Sequence, residues 1–465
     1  MKRIETAIGG SLALALVLNG CTGGAGSAMP GVSGSSASLP ANISQNGVLG
    51  NTAPWSGKIK HVVIIFQENR TIDNLFNGYP GADSQSWGLD HNGKRVNLVD
   101  VSETAPYDIS HTHPSFTREY DNGKLDGWDL ASTKCGNPAA CPPPNRRAYG
   151  KVPRSESKPY WDMAKQWVLG DRMFETNQGP SFPAHQYIIS ATSTPSNRSQ
   201  YRASENPQAP NHAGGAGGCD SPTGSTVKLI DQSGNENQTT YPCFDRTTLT
   251  DLLDNQGLSW RYYEEKYGSG LWYALDAIKH VRQAPGYKTK VVAPSDQVVT
   301  DIQSGTLESV TWITPAADDS DHARVTDGSG PSWVASIVNA IGQSSYWDST
   351  AIIVTWDDWG GWYDHVSPPM YNSFELGFRV PLLVISPYAK QSYVSHKQHE
   401  FGSILKFAEE TFGLGSLNTT DVRADDLSDC FDFKQSPRQF VPIQIPAGPN
   451  LGKNASPAAV VDDDY

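Results

Sequence analysis

Acidic and amide side chains follow two long apolar runs of this sequence and are suited to binding a metal ion. The first run, HVVIIF, leads into Glu68 and Asn69, and the second, AIIVTW, leads into Asp357 and Asp358. Carboxylate and amide oxygens are the ligands that hard divalent cations prefer. Adjacent aspartates repel each other, so a bound cation is their natural compensation. Taken alone, each pair also fits a polar turn, the first with an N-capping asparagine.

A serine at the predicted start of a helix is the candidate nucleophile. Ser181 follows a Gly-Pro pair and precedes the apolar stretch QYIIS. A hydroxyl there lies at the positive end of the helix dipole, which favours an alkoxide and a neighbouring anion. Coordination to a metal would activate it in the same direction, without a histidine base. The string is not the G-x-S-x-G elbow of a Ser-His-Asp hydrolase, and by itself Ser181 also fits a simple N-cap.

Histidines and aromatic residues supply the remaining candidates. His111, His322 and His365 each follow an aspartate by one to three residues. An aspartate beside a histidine can orient the ring, which suits a general acid or a donor to phosphate oxygens. Trp359 and neighbouring aromatic residues follow the paired aspartates; they fit core packing or a platform for the organic part of a substrate.

The elements that would position these residues are those of an α/β protein. Continuous β-branched runs predict strands that are buried on both faces. Predicted strands include the runs that begin at His61, Ser259, Val310, Ala351 and Val380. Predicted helices between and after them end at Gly257, Gly342 and Gly413. This alternation predicts a mainly parallel sheet under helices, with ligands at the carboxyl ends of its strands.

Charge and the N-terminal segment bear on partners and location. The 465 residues carry a formal net charge of -13, which argues against nucleic acid as a partner. A basic start is followed by an apolar stretch, 7–18, that is shorter than the ~20 residues of a membrane-spanning helix. This pattern predicts export. The string LNGC resembles a bacterial lipobox, which predicts a lipidated Cys21 and membrane anchoring, with simple secretion as the alternative.

The domain organisation follows from shifts in composition. We predict a lipoprotein-type signal segment at 1–21, a flexible Gly/Ser-rich tether at 22–57, one catalytic domain at 58–428 with a polar insertion at about 197–240, and a Pro-rich C-terminal tail at 429–465. Export makes the remaining cysteines disulfide candidates. The candidates are Cys135, Cys141, Cys219, Cys243 and Cys430, and the sequence leaves their pairing open.

Four ordered strings resemble a known family. HVVIIFQENRTIDNLF, QGPSFPAHQYIISATS, DSDHA and IIVTWDDWGGWYDHVSPP are similar to segments of the bacterial phospholipase C and acid phosphatase family of phosphoesterases. The resemblance covers most of the chain from about Lys58 to Gly415. It implies the alkaline-phosphatase-like fold, a three-layer α/β sandwich around a mainly parallel central sheet.

The resemblance also implies roles for individual residues. Glu68, Asn69, Asp357 and Asp358 would be ligands of a divalent metal ion of unknown identity and number. Ser181 would coordinate the same metal and form a covalent phospho-enzyme. The catalytic histidines would be His111 and His322. His365 and Trp359 are further candidates for substrate contacts.

The expected function is therefore metal-dependent hydrolysis of a phosphate ester, either a small phosphoester or a phospholipid, outside the cytoplasm. The chain has Arg-Thr-Ile-Asp where many relatives have Arg-Ser-Phe-Asp, and it is short for the extra C-terminal β domains of the phosphocholine-specific branch. This leaves a phosphomonoester open as the substrate. The alternative is a non-catalytic surface lipoprotein that keeps the fold as a binding module. A sulfatase is disfavoured because Ser181 lacks the sequence context for formylglycine formation.

Overall fold

An eight-stranded β-sheet forms the centre of the computed structural model, which describes residue 53 and residues 55–210 and 215–446. Its strands in chain order are β1 (His61–Gln67), β2 (Val168–Phe174), β3 (Trp260–Tyr263), β4 (Val291–Val292), β5 (Val310–Ile313), β6 (Thr350–Trp356), β7 (Arg379–Ile385) and β8 (Tyr393–Ser395). Their order across the sheet is β4-β3-β5-β1-β6-β7-β2-β8. All of them run parallel except β7, which runs against both of its neighbours.

Helices cover both faces of this sheet. In chain order they are α1 (Ile72–Leu75), α2 (His113–Tyr120), α3 (Lys158–Gln166), α4 (Ser181–Ser190), α5 (Leu249–Asn255), α6 (Lys279–Arg282), α7 (Tyr287–Lys290), α8 (Gln297–Gln303), α9 (Gly330–Gly342) and α10 (Phe401–Phe412). Helix α4 packs against α5 and α10, whereas α9 packs against α3 and α8. Strands β6 and β7 are buried along their whole length, as expected when helices cover both faces.

Short strands outside the sheet shape the loops that leave it. They pair as Trp87–Leu89 with Arg95–Asn97, Val99–Asp100 with Gly150–Lys151, and Tyr107–Ile109 with Thr133–Cys135. The loops between β1 and β2 contribute most of a second hydrophobic core, separate from the main one and rich in aromatic residues. This second core supports the region around His111.

The predicted α/β architecture with a mainly parallel central sheet is confirmed. Each predicted strand is present, and the predicted helices end where the glycines indicated. The direction of β7 differs from the parallel pattern. A parallel strand needs a crossover connection, usually a helix, but residues 357–378 contain none. Strand β7 therefore returns antiparallel to β6.

The insertion predicted at 197–240 is not merely an irregular loop. It contains a three-stranded antiparallel sheet of Arg202–Ala203, Val227–Ile230 and Gln238–Thr240. Strands of two to four residues are too short for a period of two to be recognised in the sequence. Disulfide bonds join Cys219 to Cys243 and Cys135 to Cys141, which resolves the pairing that the sequence left open.

The tail beyond Asp429 lies against the body of the domain over its described part. Phe440 stacks on Trp167 and contacts Trp347, and the backbone carbonyl of Ile443 accepts a hydrogen bond from Asn339. The described residues belong to one compact unit. The predicted signal segment at 1–21, with Cys21, and most of the tether at 22–57 lie outside the described residues.

No helix in the described part of the chain is long and apolar enough to cross a bilayer.

Candidate active site

The register between β1 and β6 brings the two predicted ligand pairs together. Gln67 pairs with Trp356 at the carboxyl end of both strands, so Glu68 and Asp357 leave the sheet side by side. The backbone amide of Asn69 donates a hydrogen bond to Asp357 Oδ1 at 2.8 Å. Two segments almost 300 residues apart in the chain therefore meet at one edge of the sheet, as predicted.

The glycine pair after Asp358 lets the second segment turn back onto the first. Gly360 has φ +61°, and a Cβ atom built on it would lie 2.5 Å from the carbonyl oxygen of Asn69. Gly361 has φ +70°, and its Cβ would lie 2.3 Å from the side chain of Ile109. Both the conformation and the close approach require glycine here.

Helix α4 places Ser181 against these carboxylates. Ser181 is the first residue of α4, and its hydroxyl donates to Glu68 Oε2 at 3.3 Å and to Asp358 Oδ2 at 3.4 Å. All three side chains are completely buried. The candidate nucleophile and the candidate ligands are thus one cluster.

His111 joins the same cluster from the loop before α2. Its Nδ1 donates to the carbonyl of Ile109 at 2.8 Å, so the neutral ring accepts at Nε2. Nε2 lies 2.9 Å from Asn69 Nδ2 and 3.8 Å from Asp358 Oδ2. The amide nitrogen of Asn69 also donates to Asp358 Oδ1 at 3.3 Å. These contacts turn the amide oxygen of Asn69 away from His111.

His322 lies next to His111, with 6.0 Å between the ring centroids. Its Nδ1 donates to the carbonyl of Ala323 at 2.6 Å. The carboxylate of the preceding Asp321 instead accepts from the Tyr160 hydroxyl at 2.9 Å and from the indole of Trp356 at 2.8 Å. The described bonds of the Asp321 carboxylate therefore fix the loop that carries His322 and do not orient the His322 ring.

Trp359 packs against His111 on the side of the second hydrophobic core. It is completely buried, its indole donates to Glu119 Oε2 at 2.7 Å, and its ring meets that of His111 edge to face at 6.1 Å. Burial raises the pKa of Glu119 well above its ordinary value. These contacts place Trp359 in the second hydrophobic core beneath His111.

His365 lies in a neighbouring ion-pair network. Its Nδ1 is 2.6 Å from Asp73 Oδ2 and its Nε2 is 3.1 Å from Asp83 Oδ1, while Asp364 binds the buried Arg379. Burial lowers the pKa of His365, but the bond to Asp73 outweighs it and the net shift is upward. None of these described contacts reaches Ser181 or its carboxylates, and a substrate-binding role for His365 stays a prediction.

His185 is a member of the cluster that sequence reasoning missed. Its Nε2 donates to Glu68 Oε1 at 2.8 Å and lies 4.0 Å from Asp357 Oδ2. Burial lowers the pKa of His185 to about 4, against the opposing charge of Asp357, so the ring is neutral at pH 7. The available signal was its position four residues after Ser181, which places both on one face of a helix.

Glu175 is a second residue that was missed. It directly follows β2, so it emerges at the same edge of the sheet, and it is completely buried. Burial, with the negative charges of Asp358 and Asp357, raises the pKa of Glu175 well above its ordinary value. A carboxyl group directly after a buried strand was the available signal, as for Glu68.

The donor set fits a divalent cation. Among the described residues, Asn69 Oδ1 and Asp357 Oδ2 are buried yet have no hydrogen-bond partner, which is costly for a polar atom without a ligand. Candidate ligand atoms of Glu68, His185 and Asp357 all lie within 4.8 Å of one another. Oxygen-rich sets of this kind suit hard divalent metals.

Comparison with known proteins identifies the family of this chain. The profile of the Phosphoesterase family matches residues 59–415, which is most of the chain. The chain belongs to the phosphoesterase family. The family resemblance that four motifs indicated is confirmed, and every predicted site residue lies inside the matched range.

Relatives of this phosphoesterase include bacterial and plant phospholipases. Hemolytic phospholipase C of Pseudomonas aeruginosa is 25% identical over 446 residues, which cover 81% of this chain and 56% of the relative. Non-specific phospholipase C1 of Arabidopsis thaliana is 24% identical over 442 residues, covering 84% and 74%. Phospholipase C A of Mycobacterium tuberculosis is 23% identical over 447 residues, covering 83% and 79%. The chain spans little more than half the length of the hemolytic enzyme.

Solved structures that resemble this phosphoesterase are more distant. One is a protein in the alkaline phosphatase superfamily from Vibrio parahaemolyticus, with 12% identity and a TM-score of 0.37 over 80% of this chain and 71% of the other. Another is Ps i-CgsB, with 9% identity and a TM-score of 0.42 over 82% and 77%. Similarity at this level carries no argument about the reaction.

Proposed function

We propose that this protein hydrolyses phosphate esters, of the phospholipase C or acid phosphatase type, with Ser181 as the nucleophile and a divalent metal ion as cofactor. The observation that supports this most is the position of Ser181 Oγ, 3.3 Å from Glu68 and 3.4 Å from Asp358. Membership of the family and the names of its phospholipase C relatives support the reaction class. A phospholipid and a small phosphomonoester are both candidate substrates.

The proposed ligands are Glu68, Asn69, Asp357 and Asp358, together with the Ser181 hydroxyl. A bound divalent cation supplies a lower pKa for the serine hydroxyl and partial neutralisation of the phosphoryl oxygens. The positive end of α4 acts on the same hydroxyl in the same direction. The chain thus prepares the nucleophile by its position at the start of α4 and by the proposed ligand set.

The reaction proceeds in two displacements. Ser181 Oγ, after its hydroxyl has lost its proton, forms a bond to phosphorus as the bond to the ester oxygen breaks. The imidazolium form of His111 or His322 gives its Nε2 proton to the leaving alcohol, and the other histidine, also protonated, donates to the phosphoryl oxygens. Water then attacks the phosphoserine, which releases phosphate and restores the serine hydroxyl. His111 is suited to this work because the bond of Nδ1 to the Ile109 carbonyl leaves Nε2 as the atom that gains and gives the proton.

The direct test is turnover of p-nitrophenyl phosphate and of phosphatidylcholine vesicles, with and without a chelator. We expect Ser181→Ala to lower kcat by at least about a thousandfold. In comparable enzymes the reaction with the nucleophilic serine is faster by at least that factor than the reaction without it. Ser336→Ala is the matched control, since that hydroxyl bonds only within its own helix in the described structure. Phospho-enzyme trapped by acid quench and mass spectrometry should carry its phosphate on Ser181.

Two results would overturn the proposal. Undiminished turnover in Ser181→Ala would exclude this nucleophile, and turnover that survives complete chelation would exclude the metal. A folded protein that turns over neither substrate would instead support the binding-module alternative.

We propose further that the protein acts outside the cytoplasm and is anchored through a lipidated Cys21. The support is the basic start, the short apolar stretch and the LNGC string. Expression with labelled palmitate in a bacterial host should label the full chain and leave Cys21→Ala unlabelled. Equal labelling of the wild type and the Cys21→Ala variant would contradict lipidation of Cys21. An unlabelled protein in the medium would favour simple secretion.

A further inference from the structure

The insertion at 197–240 contacts three chain segments around the candidate site. It touches the turn before Ser181, the helix start after His111, and the loop that follows Asp358. The contact nearest to Ser181 is made by Asn206.

Asn206 binds the backbone amide that follows Ser181. Its Oδ1 accepts from the N–H of Phe182 at 2.9 Å. The insertion backbone also lies against this turn, because a Cβ atom on Gly179 would come within 2.7 Å of the carbonyl oxygen of Ser204. The start of α4 is therefore capped by a residue of the insertion, since no side chain of the turn itself caps it.

Backbone hydrogen bonds on both sides of Asn206 hold its segment in place. The amide of Ser204 donates to Lys228, and Gln208 and Thr226 exchange two backbone hydrogen bonds of 2.8 and 3.0 Å. Asn206 thus lies between two points at which its segment is paired with the neighbouring strand. The disulfide between Cys219 and Cys243 ties the same region to the body of the domain.

The other two contacts involve the flanks of the site. Glu236 lies 3.0 Å from Nδ1 of His113, two residues after His111. The carbonyl of Asp231 accepts from the hydroxyl of Ser373 at 3.2 Å, in the loop between β6 and β7. The insertion therefore braces the histidine segment and the aspartate segment together with the serine.

We propose that Asn206 is a positioning residue for Ser181 and that its neutral charge favours dianionic phosphomonoesters, which deepens and rests on the proposed function. Asparagine and aspartate cap helices about equally well, so a purely structural cap would accept either. A carboxylate, however, would oppose the positive end of α4, where the anionic phosphoryl group must bind. The neutral amide of Asn206 holds the turn without weakening the attraction of the α4 N-terminus for the substrate phosphoryl group.

The test compares Asn206→Asp with Asn206→Ala in the full chain. Asn206→Asp keeps the acceptor, so the melting temperature should stay within about 2 °C of wild type. Its KM for p-nitrophenyl phosphate should rise about tenfold, and its KM for the net-neutral p-nitrophenylphosphorylcholine should rise less than about threefold. Asn206→Ala should lower kcat about tenfold on both substrates with little change in KM, because the serine turn loses its brace.

Gln208→Glu is the matched control, because it adds the same charge two residues away on an exposed side chain. Its KM should stay within about twofold of wild type, since screening weakens exposed charges. The inference is overturned if wild type is active and both Asn206 variants match it in kcat and KM. An inactive wild type would overturn the proposed function itself, so the two failures are distinguishable.

Discussion

At the residue scale, the site is defined by oxygen atoms that are buried together. Asn69 Oδ1 and Asp357 Oδ2 have no hydrogen-bond partner in the described structure, and Ser181 lies against the carboxylates of Glu68 and Asp358. Such an arrangement is stable only if something cationic neutralises it. His185 does not do so, because burial keeps its ring neutral. The residues therefore indicate a cation from outside the chain.

His185 should matter for metal affinity by fixing Glu68. We expect His185→Ala to weaken binding of the metal by about 10- to 100-fold, as is usual when the partner of a ligating carboxylate is lost. His185→Gln should recover part of the loss because its amide can still donate to Glu68. Titration calorimetry of apo protein with Mg²⁺, Mn²⁺, Ca²⁺ and Zn²⁺ measures the effect. Equal affinities for the wild type and the alanine variant would contradict it.

Glu409 on α10 should give the protein a measurable pH dependence of stability. Burial, with the nearby charge of Asp421, raises the pKa of Glu409 to about 8, and its side chain is only 5% exposed. Because the folded-state pKa lies above the unfolded value, the protonated form stabilises the fold at low pH. That contribution is lost as pH rises from about 4.5 through about 8.

The variant Glu409→Gln should remove this dependence. We expect it to raise the free energy of unfolding by about 5 kcal/mol at pH 9 and to change it little at pH 4. The control is Glu410→Gln, its less buried neighbour, whose pKa is also raised but for which no comparable gain is expected. Urea unfolding at the two pH values measures the effect. If the free energies of unfolding of Glu409→Gln and wild type differ equally at both pH values, the charge of Glu409 is not the cause.

At the element scale, the site depends on the pairing of β1 with β6 and on the turn after β6. The register places Glu68 beside Asp357, and Gly360 lets the following loop close over Asn69. Helix α4 then brings Ser181 from another part of the chain. Each element contributes one or two residues, so small displacements of an element should affect metal binding and turnover together.

Gly360→Ala tests this close approach. It should cost about 3 kcal/mol, since the left-handed conformation costs about 1–2 kcal/mol and overpacking against Asn69 adds about as much again. Gly413→Ala is the matched control: its φ of +64° is similar, but nothing lies within 4 Å of the new Cβ atom. We expect about 1–2 kcal/mol there. Similar losses by urea unfolding would show that the contact with Asn69 is unimportant.

At the scale of the whole molecule, one domain is wrapped by accessory segments. The second hydrophobic core packs against His111, and the insertion contacts the turn at Ser181 and two segments that flank the site. The described tail lies against Trp167 and Trp347. The sheet positions the proposed metal ligands, and the accessory segments determine what surrounds them.

The two disulfides should contribute unequally to stability. The Cys219–Cys243 bond closes a loop with a sequence separation of 24, and Cys135–Cys141 one with a separation of 6. Loop-closure entropy predicts losses of about 3.5 and about 2.3 kcal/mol for the respective double serine variants. Urea unfolding measures both. Only the first variant should also lower activity, because only that bond ties down the insertion; equal effects on activity would contradict this.

Local patterns were sufficient for the elements and for most residues of the candidate site. Continuous β-branched runs identified the buried strands because strands covered on both faces need no polar alternation. The ligand pairs were identifiable because acidic residues directly after such strands are unusual without a cation. Glu175 and His185 carried similar signals that were less conspicuous, a single glutamate after a strand and a histidine one helical turn from the serine.

Only the tertiary structure decided which residues meet. The sequence places Asp364 beside His365 and Asp321 beside His322, yet His365 binds Asp73, and Asp321 binds Tyr160 and Trp356. Neighbours in a chain often point in different directions, so adjacency does not determine a partner. The direction of β7, the disulfide pairing and the contact of Asn206 with the Ser181 turn likewise depend on distant segments. The sequence by itself therefore determined the chemistry at the strand ends, and long-range packing decided its geometry.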